Sequence, residues 1–354
     1  MMKYFLFFVI LFVGINTQGQ VILNAVGQDN TYQLISSSLA PNYNPIETPD
    51  CSHSDFGNHI DEVFDDELNK YVFRFHIHVE HDNDRCIKFD RQRNEIKTYD
   101  QSPDQLLGIQ EETVVYKWNF KLDEGFLASP NFTHLHQLKS VGGPYSSMPM
   151  YTLTARKGNP DRLELRYAET NKQITLLQED LSPFIGTWLS VTERVTYGYE
   201  GKYSILIEKI SDGSTLMTYT DNEMINWKED TEFVRPKWGI YRSLINKQDL
   251  RDETLWFSDF SIEETSLLTH DTIRKEDTEI IVNSTMKQLD IQNLPKEATT
   301  ITLFTLDGKK LITEKTASKT NLILNTTLLT NGIYVLSLKG AFTNFSKLIQ
   351  IQNY

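Results

Sequence analysis

Three short segments place charged and polar side chains where they could manage a negatively charged ring. In Arg91-Gln92-Arg93-Asn94-Glu95-Ile96-Lys97, the residues Arg91, Arg93, Glu95 and Lys97 fall on one face of an extended strand, because successive strand side chains point to opposite sides. A basic row with one acid inside it can hold a carboxylate, the glutamate fixing a neighbouring guanidinium by a charge-assisted bond. In His134-Leu135-His136-Gln137-Leu138-Lys139, Gln137 and Lys139 point one way and His134 and His136 the other. An amide beside an ammonium can hydrogen-bond a carboxylate and neutralise it. The histidine pair invites a metal, yet no carboxylate or cysteine is spaced to complete a zinc site, so no metal is expected. In Arg235-Pro236-Lys237-Trp238-Gly239-Ile240-Tyr241-Arg242, the residues Lys237, Gly239 and Tyr241 share a face. Trp238 and Ile240 should turn into a core, and the missing side chain at Gly239 leaves room for a ring to approach the backbone. Each segment alone also fits a solvated strand face or an ordinary bulged strand.

The elements that must position these rows read as short strands. Tyr71 to Glu80, Thr113 to Leu122, Phe132 to Ser140, Tyr151 to Arg156, Leu163 to Tyr167, Trp188 to Tyr197 and Tyr203 to Ile210 alternate or carry β-branched and aromatic residues. Lys157-Gly158-Asn159-Pro160-Asp161 is a hairpin turn. About a dozen strands in about 240 residues, with hardly a segment of helical period, predict an all-β two-sheet jelly roll, a concanavalin-like sandwich. His76 and His78 sit on the polar face of Tyr71 to Glu80, where they could line the cleft as sugar contacts or an alternative base. His53 and His59 lie in a loop-like stretch and take no assigned role.

Composition bounds the rest. The chain has 354 residues and a formal charge of −13, which argues against nucleic acid or an anionic membrane as partner. A local cluster of cations still permits an anionic sugar. Met1 to Gly19 reads as a secretory signal peptide, its apolar run being too short for a membrane span. Export makes a Cys51 to Cys86 disulfide plausible beside the alternative of two buried thiols. Residues 20–264 form the large domain, the acidic and polar stretch 265–278 a linker, and 279–354 a second strand-rich unit, a small β-sandwich. No cofactor is required. His81-Asp82-Asn83-Asp84 is oxygen-rich, so a structural calcium is compatible with it, although a simple turn explains it equally.

Two resemblances give these readings a direction. The pieces Arg93-Asn94-Glu95-Ile96-Lys97, Gln137-Leu138-Lys139 and Lys237-Trp238-Gly239-Ile240-Tyr241 stand in the same chain order as the Arg-x-Glu-Leu-Arg, Gln-Ile-His and Lys-Ala-Gly-x-Tyr strands of alginate lyases. The chain resembles jelly-roll polysaccharide lyases of the alginate and heparin-lyase-I type. Lys139 stands where alginate lyases place a catalytic His. With Asp50 to Gly57, Asp90 to Glu95 and Arg235 to Ser243 followed by Leu250 to Glu253, this makes the chain look most like ulvan lyases of polysaccharide lyase family 28 and their glucuronan-lyase relatives. The C-terminal pieces Thr302 to Lys310, Asn331 to Leu338 and Ser346 to Ile351 resemble the sorting domain of the type IX secretion system of Bacteroidetes, with an immunoglobulin-like accessory module as the alternative.

The first resemblance implies β-elimination from a uronate. Gln137, Lys139 and Arg93 would neutralise the carboxylate as an enolate-like state develops. Tyr241 would remove the C5 proton and then protonate the leaving oxygen. A tyrosine is a poor base at neutral pH, since its reference pKa is near 10, so Lys237 and other cations must favour the phenolate. Lys237, Arg91, Glu95, His76 and His78 would contact substrate. Ulvan is the favoured polymer, with glucuronan, alginate and heparin-like chains as alternatives. A glycoside hydrolase would need paired carboxylates, and no Glu-x-Asp-x-x-Glu strand is present. A non-catalytic sugar-binding jelly roll shares the fold. Expected partners are the polysaccharide and the secretion machinery, for a monomeric protein that is secreted or held at the cell surface.

Overall fold

A computed structural model describes residues 20–265, and 281–351 apart from 286, 293, 295–297, 306–308, 317–318, 331 and 341–343. The proposed signal peptide, residues 266–278 of the linker and residues 306–308 within the Thr302 to Lys310 piece lie outside the described residues.

Fifteen strands make up the first unit in chain order: β1 (Gln20–Leu23), β2 (Ile46–Glu47), β3 (Ile60–Asp65), β4 (Lys70–Ile77), β5 (Arg91–Lys97), β6 (Thr113–Leu122), β7 (Thr133–Val141), β8 (Tyr151–Arg156), β9 (Arg162–Tyr167), β10 (Ile174–Asp180), β11 (Leu189–Thr196), β12 (Gly201–Lys209), β13 (Thr215–Met224), β14 (Phe233–Ser243) and β15 (Glu253–Thr265). They pair antiparallel in two sheets. One runs β13-β12-β11-β6-β15-β4-β3, with β1 added to the far half of β15; the other runs β10-β9-β8-β7-β14-β5-β2. The architecture is a two-sheet β-jelly roll. Strand alternation explains the packing. Trp118 and Phe120 of β6, Phe257 of β15, Leu138 of β7 and Trp238 and Ile240 of β14 all point between the sheets and are buried, while their neighbours along each strand face outward.

One helix interrupts the β pattern, α1 (Thr31–Leu39), and sequence alternation gave no hint of it. Thr31, Ile35 and Leu39 are its buried stripe, but nine residues with three serines and no acidic first turn leave little helical signature. Lys157 to Asp161 connects β8 to β9 as the sequence predicts, and Cys51 is bonded to Cys86, with Cα atoms 6.3 Å apart.

The second unit holds β16 (Ile281–Thr285), β17 (Gln288–Gln292), β18 (Ala298–Thr305), β19 (Lys310–Lys315), β20 (Leu322–Asn325), β21 (Gly332–Gly340) and β22 (Asn344–Ile351). A three-stranded sheet β16-β17-β20 and a four-stranded sheet β19-β18-β21-β22 form a small sandwich. Its core, including Leu289, Leu303, Leu324 and Leu336, is separate from that of the first unit. Among the described residues no helix is long and apolar enough to cross a membrane.

Candidate active site

Register across β5, β14 and β7 arranges the outer face of the seven-stranded sheet into rows. Lys97, Lys237 and Gln137 are directly paired partners in one row; Arg93, Tyr241 and His134 are partners in another. Arg235 stands opposite Lys139 further along β14.

The first row forms a buried ionic floor. Lys237 donates to Glu95 at 2.8 Å and also to Glu47, which accepts from Lys97 at 3.0 Å and from Arg85 at 2.7 Å. Lys237 is 3% exposed and Glu95 is fully buried. Burial disfavours both charges, but Lys237 and Arg93 hold Glu95 down at about 2, and Lys237, Arg93 and Lys97 keep Glu47 well below the usual carboxylate range. Burial wins at Lys237, which falls to about 8. The Gln137 amide donates to Glu95. Arg93 spends its donors on Asp84, at 3.0 and 3.2 Å, and on Glu95. Gln137, Lys237 and Glu95 thus lie buried in this floor with their polar groups bonded to one another, and Arg93 bonds to carboxylates from the same floor.

Above this floor stands Tyr241. Arg91 Nη1 donates to its phenol oxygen at 3.0 Å, and the Arg93 guanidinium lies 3.6 Å from its ring centroid. Both cations put positive charge where negative charge would develop on the oxygen. Arg91 is oriented by two hydrogen bonds to Asp90, at 2.8 and 2.6 Å. The His134 ring lies 5.9 Å from that of Tyr241 and stacks on Phe132 at 4.9 Å. His134 Nδ1 is buried with no hydrogen-bond partner among the described residues, and burial pushes the imidazole down to about 3, so the ring is neutral at physiological pH.

His134 was placed by strict alternation on the inner side, and that placement is wrong. A register irregularity between His134 and His136 gives β7 an extra residue there, so Leu135 and His136 both face inward and His134 faces the cleft. His136 is an interior residue, 2.8 Å from buried Glu193 and stacked near Trp118. Lys139, by contrast, pairs with a residue six positions from Tyr241 along β14, roughly 15–20 Å of strand at the usual rise. It stands further along the same sheet face. There its ammonium is lowered to about 7 by burial and by Lys237, Arg235 and Arg93. Arg235 lies over the Tyr99 ring at 4.8 Å, with Nε and Nη1 buried and unpartnered among the described residues.

Two further expectations change. His76 belongs to the other sheet, on its outer side, and lies 3.3 Å from Asp61; His78 follows β4 at the edge of the sandwich beside Asp82. Neither lies in the Tyr241 row. Gly239 does not leave space for a sugar. It has φ 138°, and a Cβ there would meet the β5 backbone, Asn94 carbonyl oxygen and Glu95 Cα, the latter at 2.8 Å. The sequence reading missed Glu47, Asp84, His134 and Arg235. Arg235 was legible as the next outward residue before Lys237; Glu47 and Asp84 come from loops and a two-residue strand, which carry no periodicity.

No family model matches the sequence, and no curated protein is similar to it. Among solved structures, the chain is similar to a PL-14 alginate lyase from Aplysia kurodai, with 14% identity and a TM-score of 0.47 over 69% of this chain and 98% of that one. It is also similar to an alginate lyase from Pseudomonas aeruginosa, with 13% identity and a TM-score of 0.41 over 62% and 97% of the two chains. A third likeness is to an alginate lyase from Chlorella virus, with 10% identity and a TM-score of 0.38 over 62% and 98%.

Proposed function

We propose that the chain is a polysaccharide lyase that cleaves a uronate-containing polymer by β-elimination. The observation that carries this reading is the Tyr241 phenol oxygen, held by the Arg91 guanidinium and flanked by the neutral His134 on a cationic sheet face. In this scheme Arg91 pairs with the substrate carboxylate and stabilises the enolate-like state. The neutral His134 accepts the C5 proton, the C4–O bond breaks with its electron pair on the leaving oxygen, and the Tyr241 phenol gives its proton to that oxygen. Arg93 becomes a positioning residue under the tyrosine ring.

Ulvan is our preferred substrate, ahead of glucuronan, alginate and heparin-like chains. Arg235 and Lys139 have no carboxylate partner among the described residues and stand opposite each other further along β14 and β7 than the Tyr241–His134 pair. They suit a second anionic group, such as a sulfate ester, on another sugar of the same chain. The same proposal includes export by the N-terminal segment and delivery by the C-terminal sandwich.

The test is a panel of these polymers followed by ultraviolet absorbance. Unsaturated uronate ends are expected from wild type and not from Tyr241→Phe. Saturated reducing ends would mean hydrolysis and sink the proposal, and binding without cleavage by wild type would leave a sugar-binding jelly roll.

A further inference from the structure

At the edge of the sandwich, outside the Tyr241 row, four side chains converge that the cleft chemistry does not use. Asp82 Oδ1 lies 3.2 Å from His53 Nδ1 and 3.1 Å from His59 Nε2, and Asp82 Oδ2 lies 3.1 Å from His78 Nδ1. One ligand atom from each of the four residues can be chosen so that all lie within 4.8 Å of one another. Around a tetrahedral zinc with bonds of about 2.0–2.1 Å, ligand atoms stand about 3.3–3.4 Å apart. The Asp82 contacts already stand near this spacing, and the wider separations in the group, up to 4.8 Å, need only to draw in to enclose an ion.

The surroundings have the character of a built site. Asp82 and His59 are buried, at 2% and 0% exposure. The ring nitrogen of His59 that faces away from the cluster, Nδ1, lies 2.7 Å from Asp50 Oδ1, and Asp50 in turn accepts from the Tyr32 hydroxyl at 2.8 Å. A carboxylate on the far nitrogen of a ligating histidine is the usual means of fixing its orientation. Phe56 covers the group, its ring 4.3 Å from His78 and 4.8 Å from His59. The Cys51–Cys86 disulfide ties together the two chain segments that supply the side chains.

We propose that His53, His59, His78 and Asp82 form a four-coordinate site for a divalent transition metal of the zinc class. Three imidazole nitrogens and one carboxylate oxygen favour zinc over calcium or magnesium, which take oxygen ligands. Four protein ligands close the coordination shell, so the ion is structural. Its effect reaches the cleft through two residues of chain: Asp82 binds the ion, and Asp84 grips Arg93 beneath Tyr241. The alternative is a metal-free cluster in which Asp82 collects imidazole N–H groups.

The full chain, purified without chelator, is analysed for metal, stripped, and titrated with Co²⁺ and Zn²⁺. One equivalent per chain is expected, with the intense visible bands of tetrahedral cobalt bleached by zinc, and with melting raised by zinc but not by calcium or magnesium. His53→Gln, at the partly buried rim, should remove the cobalt bands. Asp50→Asn should weaken zinc about 10–100-fold, and it also serves as the readout should His53→Gln fail to fold. No metal uptake at micromolar concentration, melting unmoved by chelator and zinc, or uptake unaltered in both variants would overturn the site. None of these readouts involves turnover, so they stand whether or not the chain cleaves a polysaccharide.

Discussion

Tyr241 gathers three different kinds of contact: a hydrogen bond from Arg91, a guanidinium against its ring face and a neutral imidazole beside it. Removing only its oxygen is the cleanest perturbation. Tyr241→Phe keeps the ring on Arg93 and should lower kcat by about 10²–10⁴-fold, the usual worth of a proton-transfer group, while polymer binding measured by calorimetry is retained. Lys139 makes a separate prediction. Its pKa is lowered to about 7, so it is charged below that pH and neutral above it. An anionic polymer should consequently bind less well as pH rises from about 6 to about 8, seen as a rising KM. Lys139→Arg stays charged throughout and should flatten that rise; an unchanged KM profile in the variant would detach Lys139 from substrate.

At the scale of strands, even-numbered spacing was a good guide wherever pairing stays regular. Arg91, Arg93, Glu95 and Lys97 do share a face, and Lys237, Gly239 and Tyr241 do as well, because β5 and β14 pair without interruption. The guide failed at His134, where the extra residue in β7 breaks the period of two, and no local residue type announces a bulge there. It also could not foresee that the cations of this row would be matched by Glu47 and Asp84, since which distant segment comes to lie beside a strand is a long-range matter. The histidine cluster was illegible for the same reason: its members are spread from residue 53 to residue 82 and meet only when the sandwich edge closes. Gly239 offers a test at this scale. A methyl group would press on the β5 backbone at a φ that side chains avoid, so Gly239→Ala should cost about 2–5 kcal/mol, read from the denaturant midpoint. The disulfide closes a separation of 35 residues, and replacing both cysteines by serine should cost roughly 3–4 kcal/mol on the chain-entropy view.

For the molecule as a whole, two separate cores mean that the sandwich at the C-terminus need not support the first unit. A chain ending after Thr265 should depolymerise soluble substrate with kcat/KM unchanged within about twofold if the C-terminal unit serves delivery, and should fail to reach the cell exterior in its host. A large loss of activity on the soluble polymer would assign that unit a role in substrate capture.

The bare guanidinium of Arg235 has a consequence for the balance between durability and performance. Two buried nitrogens without partners are a standing charge against folding, since a buried donor left unmatched costs about 1–3 kcal/mol and more when ionised. A ligand that supplies the missing acceptors would relieve it. Arg235→Met should therefore yield a chain that melts at a higher temperature than the natural one and yet grips its polymer less well. Screening for thermal robustness alone would select against the group that the substrate needs.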